Sequence, residues 1–164
     1  ALHYPHLRTA PIRGNVETRM GKVDAGLFDA TLLAEAGLTR LDMKDVTRYP
    51  ISEEIIVPAP GQAAIAVQTR DEDGELQTLL QQIHDAKTER EVTIERSLLK
   101  RLGGGCALPL GCVCHIEGEM AELRVFYANA SGTEHYLATH RTPLSDIDTL
   151  LSQLIERLQH ITTA

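Results

Sequence analysis

Apolar positions along the chain follow two regimes. Over the first seventy residues the apolar runs are short and separated by turn signals. Leu7–Arg13 alternates loosely and ends in Arg-Gly-Asn, the pattern of a strand running into a turn. Asn15 is a good N-cap, and Val16, Met20 and Val23 recur at near-helical spacing, so a helix is predicted over Val16–Asp24, stopped near Gly26. Leu27–Ala34 (LFDATLLA) is apolar without alternation, as in a strand buried on both faces. A short helical turn follows at Ala36-Gly37-Leu38, and this order of elements predicts βαβ units and a parallel sheet. Leu41–Ile56 is mixed and polar, a helical turn and loop. In VPAPGQAAIAV (Val57–Val67), Pro58 and Pro60 fix an extended path and Gly61 allows a sharp turn. Ala63–Thr69 then reads as a strand of small residues connecting two lobes.

The second regime is strongly periodic. After a turn at Asp71–Gly74, Leu76, Leu79, Leu80 and Ile83 predict an amphipathic helix over Glu75–His84. Thr88 with Glu91 has the capping-box spacing, starting a helix that carries Val92, Ile94, Leu98, Leu99 and Leu102. Glu89, Arg90, Glu95, Arg96, Lys100 and Arg101 form its expected solvated, ion-paired face. LGGGCALPLG (Leu102–Gly111) interrupts the pattern. Three strand candidates follow, Gly111–Glu117, Glu122–Ala130 and Glu134–Arg141, with glycine-containing turns between them, an antiparallel meander. Ile147, Leu150, Leu151, Leu154, Ile155 and Leu158 build a last amphipathic helix over Pro143–His160. Two helices, a meander and a final helix predict a small two-layer α+β domain.

Composition narrows the function. The 164 residues carry a formal net charge of −7, which disfavours general nucleic-acid binding or an anionic membrane surface but leaves room for a local basic pocket. No apolar run approaches membrane-spanning length. Three cysteines make no disulfide framework, so a reducing, cytoplasmic compartment is expected. The opening ALHYPHLRTAPIRG reads as neither signal nor transit peptide and enters a strand at once, as if the chain began within a domain.

The candidate chemistry sits at predicted strand ends and in the glycine loop. Arg13, Arg19 and Arg40 fall where an open α/β sheet binds ligands, and guanidiniums beside a helix N-terminus suit carboxylates or phosphates. Ordinary solvated arginines explain them equally simply. Gln62 is placed to donate from the connector, though a turn alone accounts for it; Asp29 reads as a turn residue. Cys106 follows three glycines, which give either clearance for a group beside the backbone or a helix C-cap with a small buried Cys. A helix C-terminus there raises a thiol pKa rather than lowering it. Cys112, Cys114 and His115 lie nearby, but the spacing is poor for zinc, and Cys112 and Cys114 share one strand face suited to a core. No metal site is expected.

Four motifs in order, RGNVETR (Arg13–Arg19), FDATLLAEAGLTRL (Phe28–Leu41), PAPGQA (Pro58–Ala63) and LGGGCALPLG, closely resemble the porphobilinogen deaminase (hydroxymethylbilane synthase) family. The resemblance implies an α/β partial domain with a parallel-type, periplasmic-binding-protein-like sheet, then a small α+β domain with a three-stranded antiparallel meander. Residues 1–62 would be the later part of the second domain, 63–72 a connector strand, and 73–164 the C-terminal domain. It implies a transferase of tetrapyrrole and heme biosynthesis, monomeric at full length, that joins four porphobilinogen units into hydroxymethylbilane with loss of ammonia. A dipyrromethane cofactor would be thioether-linked at the position of Cys106. Arg13, Arg19 and Arg40 match arginines that bind acetate and propionate groups of cofactor and polypyrrole intermediates, and Gln62 matches a residue near the cofactor cleft. Gly103 stands where the family usually has Glu, and Ala63-Ala64 replaces a usual Gly-Ala. The family's catalytic Asp has no match in this chain, so no catalytic residue is assigned and the chain alone is expected to be inactive. A non-catalytic anion-binding module that kept the architecture is the alternative.

Overall fold

Alternation along the strands of the second half decides where the core lies. The structure is a computed structural model describing residues 4–105, 108–129 and 131–162, the Thr162 side chain excepted. Its chain divides into two units, 1–55 and 56–164. In the second unit, β1 (Leu110–Glu117), β2 (Met120–Ala128) and β3 (His135–Pro143) form an antiparallel sheet in the order β1-β2-β3. The register pairs Cys112 with Val125, Cys114 with Leu123, and Val125 with Ala138. Leu110, Cys112, Cys114 and Ile116 of β1 face the same side as Ala121, Leu123, Val125 and Tyr127 of β2, and all eight are buried. Gly118 turns the first hairpin at φ +58°, a left-handed conformation that glycine adopts without a Cβ clash.

Two helices cover that face. Helix α4 (Ala86–Arg101) contributes Ile94 and Leu98; α5 (Ile147–Thr162), entered through a 3-10 turn at Leu144–Asp146, contributes Leu151, Leu154 and Leu158. Leu98, Leu123, Leu151 and Leu158 are fully enclosed, each worth about 1.5–3 kcal/mol of burial. Arg101 at the end of α4 pairs with Asp148 at the start of α5, an exposed contact of small energetic weight. The meander, the last helix and the two-layer α+β packing match the sequence expectation.

The start of α4 differs from it. Asp85 is the N-cap, its carboxylate accepting from Thr88 N at 2.7 Å, so the helix begins before the Thr88–Glu91 box. A carboxylate cap also complements the helix dipole, and Glu91 is released for another contact. Upstream, α3 (Gly74–Leu80) is capped by Asp73 and continues into a 3-10 turn at Gln81–Ile83, leaving Leu76, Leu79 and Ile83 exposed.

The connector strand expected over Ala63–Thr69 is not formed. Gly61 at φ +74° and Ala63 at φ +69° break the extended path, and Ile65 and Val67 stand exposed. Residues 56–62 belong to the second unit, where Pro58 O accepts from Cys112 N at 2.8 Å.

The first unit contains α1 (Val16–Asp24) and α2 (Glu35–Arg40), and no strand among its described residues. The parallel sheet expected from Leu7–Arg13 and Leu27–Ala34 is therefore absent from the described residues. A strand exists only as a ladder of backbone hydrogen bonds, and neither segment forms one with another among the described residues of the unit. Leu27 and Leu32 are exposed, and Leu38 is the only buried residue described there.

Backbone geometry yields a paired prediction. A Cβ at Gly111 would stand 2.6 Å from Val57 O, a backbone atom with no easy retreat. Gly111→Ala should cost about 1–3 kcal/mol. Ala63→Gly relieves a left-handed alanine and should gain about 1 kcal/mol. Urea denaturation of both variants checks the opposite signs.

Candidate functional site

The best-defined polar feature of the second unit is a buried carboxylate. Glu95 retains only 6% of its accessible surface. One oxygen accepts from Gly61 N at 2.6 Å and the other from Cys114 N at 2.9 Å. One turn earlier, Glu91 accepts from Ile116 N at 2.7 Å. With the Cys112–Pro58 bond, successive outward N–H groups of β1 at 112, 114 and 116 are all satisfied, closing an edge that would otherwise offer pairing sites. Burial pushes the Glu95 carboxyl above its ordinary range and prevails over the two amides that pull it down. The sequence pattern assigned Glu95 to the solvated face, and this is corrected. Glu91, Ile94, Glu95, Leu98 and Leu102 recur at helical spacing, which was the available signal that both acids share the inward stripe.

The same helix ends in a defined cap. Gly103 N donates to Lys100 O at 3.0 Å and Gly104 N to Leu99 O at 3.2 Å, the Schellman pairing, with Gly103 at φ +71°. A Cβ at Gly104 would press within 2.8 Å of the Leu108 side chain, whereas one at Gly105 would meet nothing within 4 Å. Two of the three glycines therefore serve the cap and its packing. Cys106 itself lies outside the described residues.

The other two cysteines are buried in the core at 0% and 2% exposure. Burial, reinforced by the Glu95 charge, pushes the Cys114 thiol up to about 12 and the Cys112 thiol still further. Neither is a nucleophile at neutral pH. No group of three or more metal-ligating side chains occurs among the described residues.

The arginines fall in the first unit. Asn15 Oδ1 accepts from Thr18 N at 2.8 Å and opens α1. Arg19 folds back, its Nε donating to Gly14 O at 2.8 Å, and Lys22 Nζ donates to Arg13 O at 2.9 Å. Arg13 and Arg19 thus lie on either side of one helix N-terminus in the sequence, with the Arg19 Nε bond to Gly14 O tying its side chain there. Arg40 is exposed in the last turn of α2, where a cation complements the dipole. Gln62 is exposed in the second unit, next to the Gly61 amide that Glu95 holds, with its own backbone N donating to Ala59 O at 2.9 Å.

Among family models, residues 1–78 match the one described as porphobilinogen deaminase, dipyromethane cofactor binding domain, and residues 89–148 match porphobilinogen deaminase, C-terminal domain. The first match contains Arg13, Arg19, Arg40 and Gln62; the second contains Glu95 and Cys106.

Glu95→Gln keeps one acceptor for two amides, so either Gly61 or Cys114 loses its partner, at a cost of about 1–3 kcal/mol. The raised carboxyl holds its proton more tightly when folded. Its contribution to stability is therefore fullest below the ordinary carboxyl range and falls as pH rises through the raised value. The cost of Glu95→Gln should shrink across that window, read from urea midpoints at a series of pH values. A cost that grows with pH contradicts the assignment.

Proposed function

The chain belongs to the porphobilinogen deaminase family, and on that premise we propose that it forms the cofactor-holding part of a transferase that assembles hydroxymethylbilane from four porphobilinogen units, releasing ammonia at each addition. The single observation that carries this reading is the pair of family matches spanning both the arginine-bearing and the cysteine-bearing segments.

Cys106 Sγ is the proposed thioether anchor for a dipyrromethane. The donor set supports that choice by chemistry: Cys112 and Cys114 are enclosed and held as thiols, which leaves Cys106 as the remaining candidate. When bound, the cofactor supplies the pyrrole terminus onto which further units couple. Arg13, Arg19 and Arg40 are proposed to hold acetate and propionate carboxylates of cofactor and intermediates, guanidinium forks being suited to bidentate pairing. For Arg19, the bond from Nε to Gly14 O fixes the guanidinium plane in advance, which lowers the entropy lost on binding. Gln62 is proposed as a further cofactor-binding residue, on the turn whose Gly61 amide Glu95 holds.

The proposed division is 1–62 as part of a periplasmic-binding-protein-like α/β domain, 63–72 as connector and 73–164 as C-terminal domain, acting in the cytoplasm. The 164-residue chain alone is expected not to turn porphobilinogen over, because the Asp the family uses for deamination and coupling has no match here. No helix among the described residues is long and apolar enough to cross a membrane.

Peptide mapping by mass spectrometry, on full-length protein made in cells that produce porphobilinogen, checks the anchor. A covalent addition of two pyrrole units should map to Cys106 and vanish in Cys106→Ser. An unmodified Cys106 refutes the assignment and favours a non-catalytic anion-binding module; the adduct on Cys112 or Cys114 refutes Cys106 as the anchor.

A further inference from the structure

The inward face of β3 changes character along its length, and the groove it forms with α5 is not used by anything described above. Where β1 and β2 present aliphatic side chains, two thiols and Tyr127 to the helices, β3 presents Tyr136 and His140. Their rings stack at 6.2 Å with an interplanar angle of 11°, and Tyr136 Oη is hydrogen-bonded to His140 Nε2 at 2.6 Å. The opposite wall is α5, with Leu150 and Leu154 at the floor and Arg157 and His160 above them; Gln153 and Glu156 complete the rim. The groove is open to solvent, with a volume of about 440 Å³.

Arg157 is the distinctive group. Its guanidinium carbon lies 5.2 Å over the Tyr136 ring, a cation–π contact. It makes no ion pair with any described carboxylate, Glu156 on the same rim included, although acidic residues outnumber basic ones in the chain. Stacking on an aromatic face restrains the side chain while its in-plane N–H edge stays available. Burial pushes the His140 imidazole down, and the Arg157 charge adds to this, so both favour the neutral ring beside the guanidinium. The groove therefore offers one oriented cation, an apolar floor and one aromatic wall, with the Glu156 carboxylate on its rim.

We propose that this groove binds a small organic carboxylate, the carboxyl group on the Arg157 guanidinium edge and the apolar body over Leu150 and Leu154 beside the Tyr136 and His140 rings. An inorganic anion fits less well, because the apolar floor would be left facing it and the single Arg157 guanidinium shares the groove with the Glu156 carboxylate on its rim.

Benzoate is the probe, with benzamide as its neutral counterpart and chloride to match ionic strength, titrated into the isotope-labelled chain and followed by amide NMR. Benzoate should give saturable shifts confined to residues 136–140 and 150–160, with Kd on the order of 1 mM. Benzamide should bind about tenfold more weakly or worse, and His140 should titrate at higher pH in saturating benzoate because the bound anion offsets the Arg157 charge. Arg157→Gln should abolish the preference for benzoate over benzamide. Shifts no larger than those from chloride, equal binding of benzamide, an unmoved His140 titration, or shifts centred elsewhere would overturn the proposal. The benzoate–benzamide comparison uses the unaltered chain, so it decides even where the Arg157 variant folds poorly.

Discussion

A carboxylate withdrawn from water is tolerated only when its oxygens are occupied, and Glu95 meets that condition with two amides distant in sequence. Gly61 lies 34 residues before it and Cys114 lies 19 residues after it. One side chain therefore fixes the turn at Gly61, α4 and β1 against one another. Only a carboxylate supplies two acceptor oxygens at that spacing; an amide offers one. The bond to Cys114 also spares β1 an exposed polar edge, so the same contact serves packing and solubility.

That arrangement determines what the glycine loop can do. The loop leaves α4 through a Schellman cap and enters β1 at Leu110, between two elements tied together by Glu95 and Glu91. The cap accounts for Gly103, and Leu99 with Leu108 accounts for Gly104. Space for an attached group is thus a matter for Gly105 alone among the three. A thiol beyond a helix C-terminus gains no stabilisation of its anion from the dipole.

Much of this was legible in the sequence where local signals and burial agreed. Asn15 and Gly26 bound α1 as read, and the alternation through Cys112 and Cys114 placed both thiols in the core. The last helix followed its leucines. Legibility failed where a tertiary contact overrode a local rule. Glu95 belongs to a charge-rich helix, and nothing local says that two distant amides will meet it. Asp85 displaced the Thr88–Glu91 cap because an earlier N-cap residue lengthens the helix while leaving Glu91 for β1. The strands read in Leu7–Arg13, Leu27–Ala34 and Ala63–Thr69 have suitable composition but no ladder among the described residues, and apolarity cannot supply one. Arg13, Arg19 and Gln62 acquired a reading from motif order, whereas the Tyr136–His140–Arg157 groove left no sequence signature, being assembled from a strand and a helix.

One carboxyl group serves both the turn at Gly61 and β1. Amide NMR of Gly61 and Cys114 across an acid titration tests this directly. Both resonances should move together through a single inflection above the ordinary carboxyl range, following the Glu95 side-chain carbon. Separate inflections, or a shared one at the ordinary carboxyl value, would contradict it.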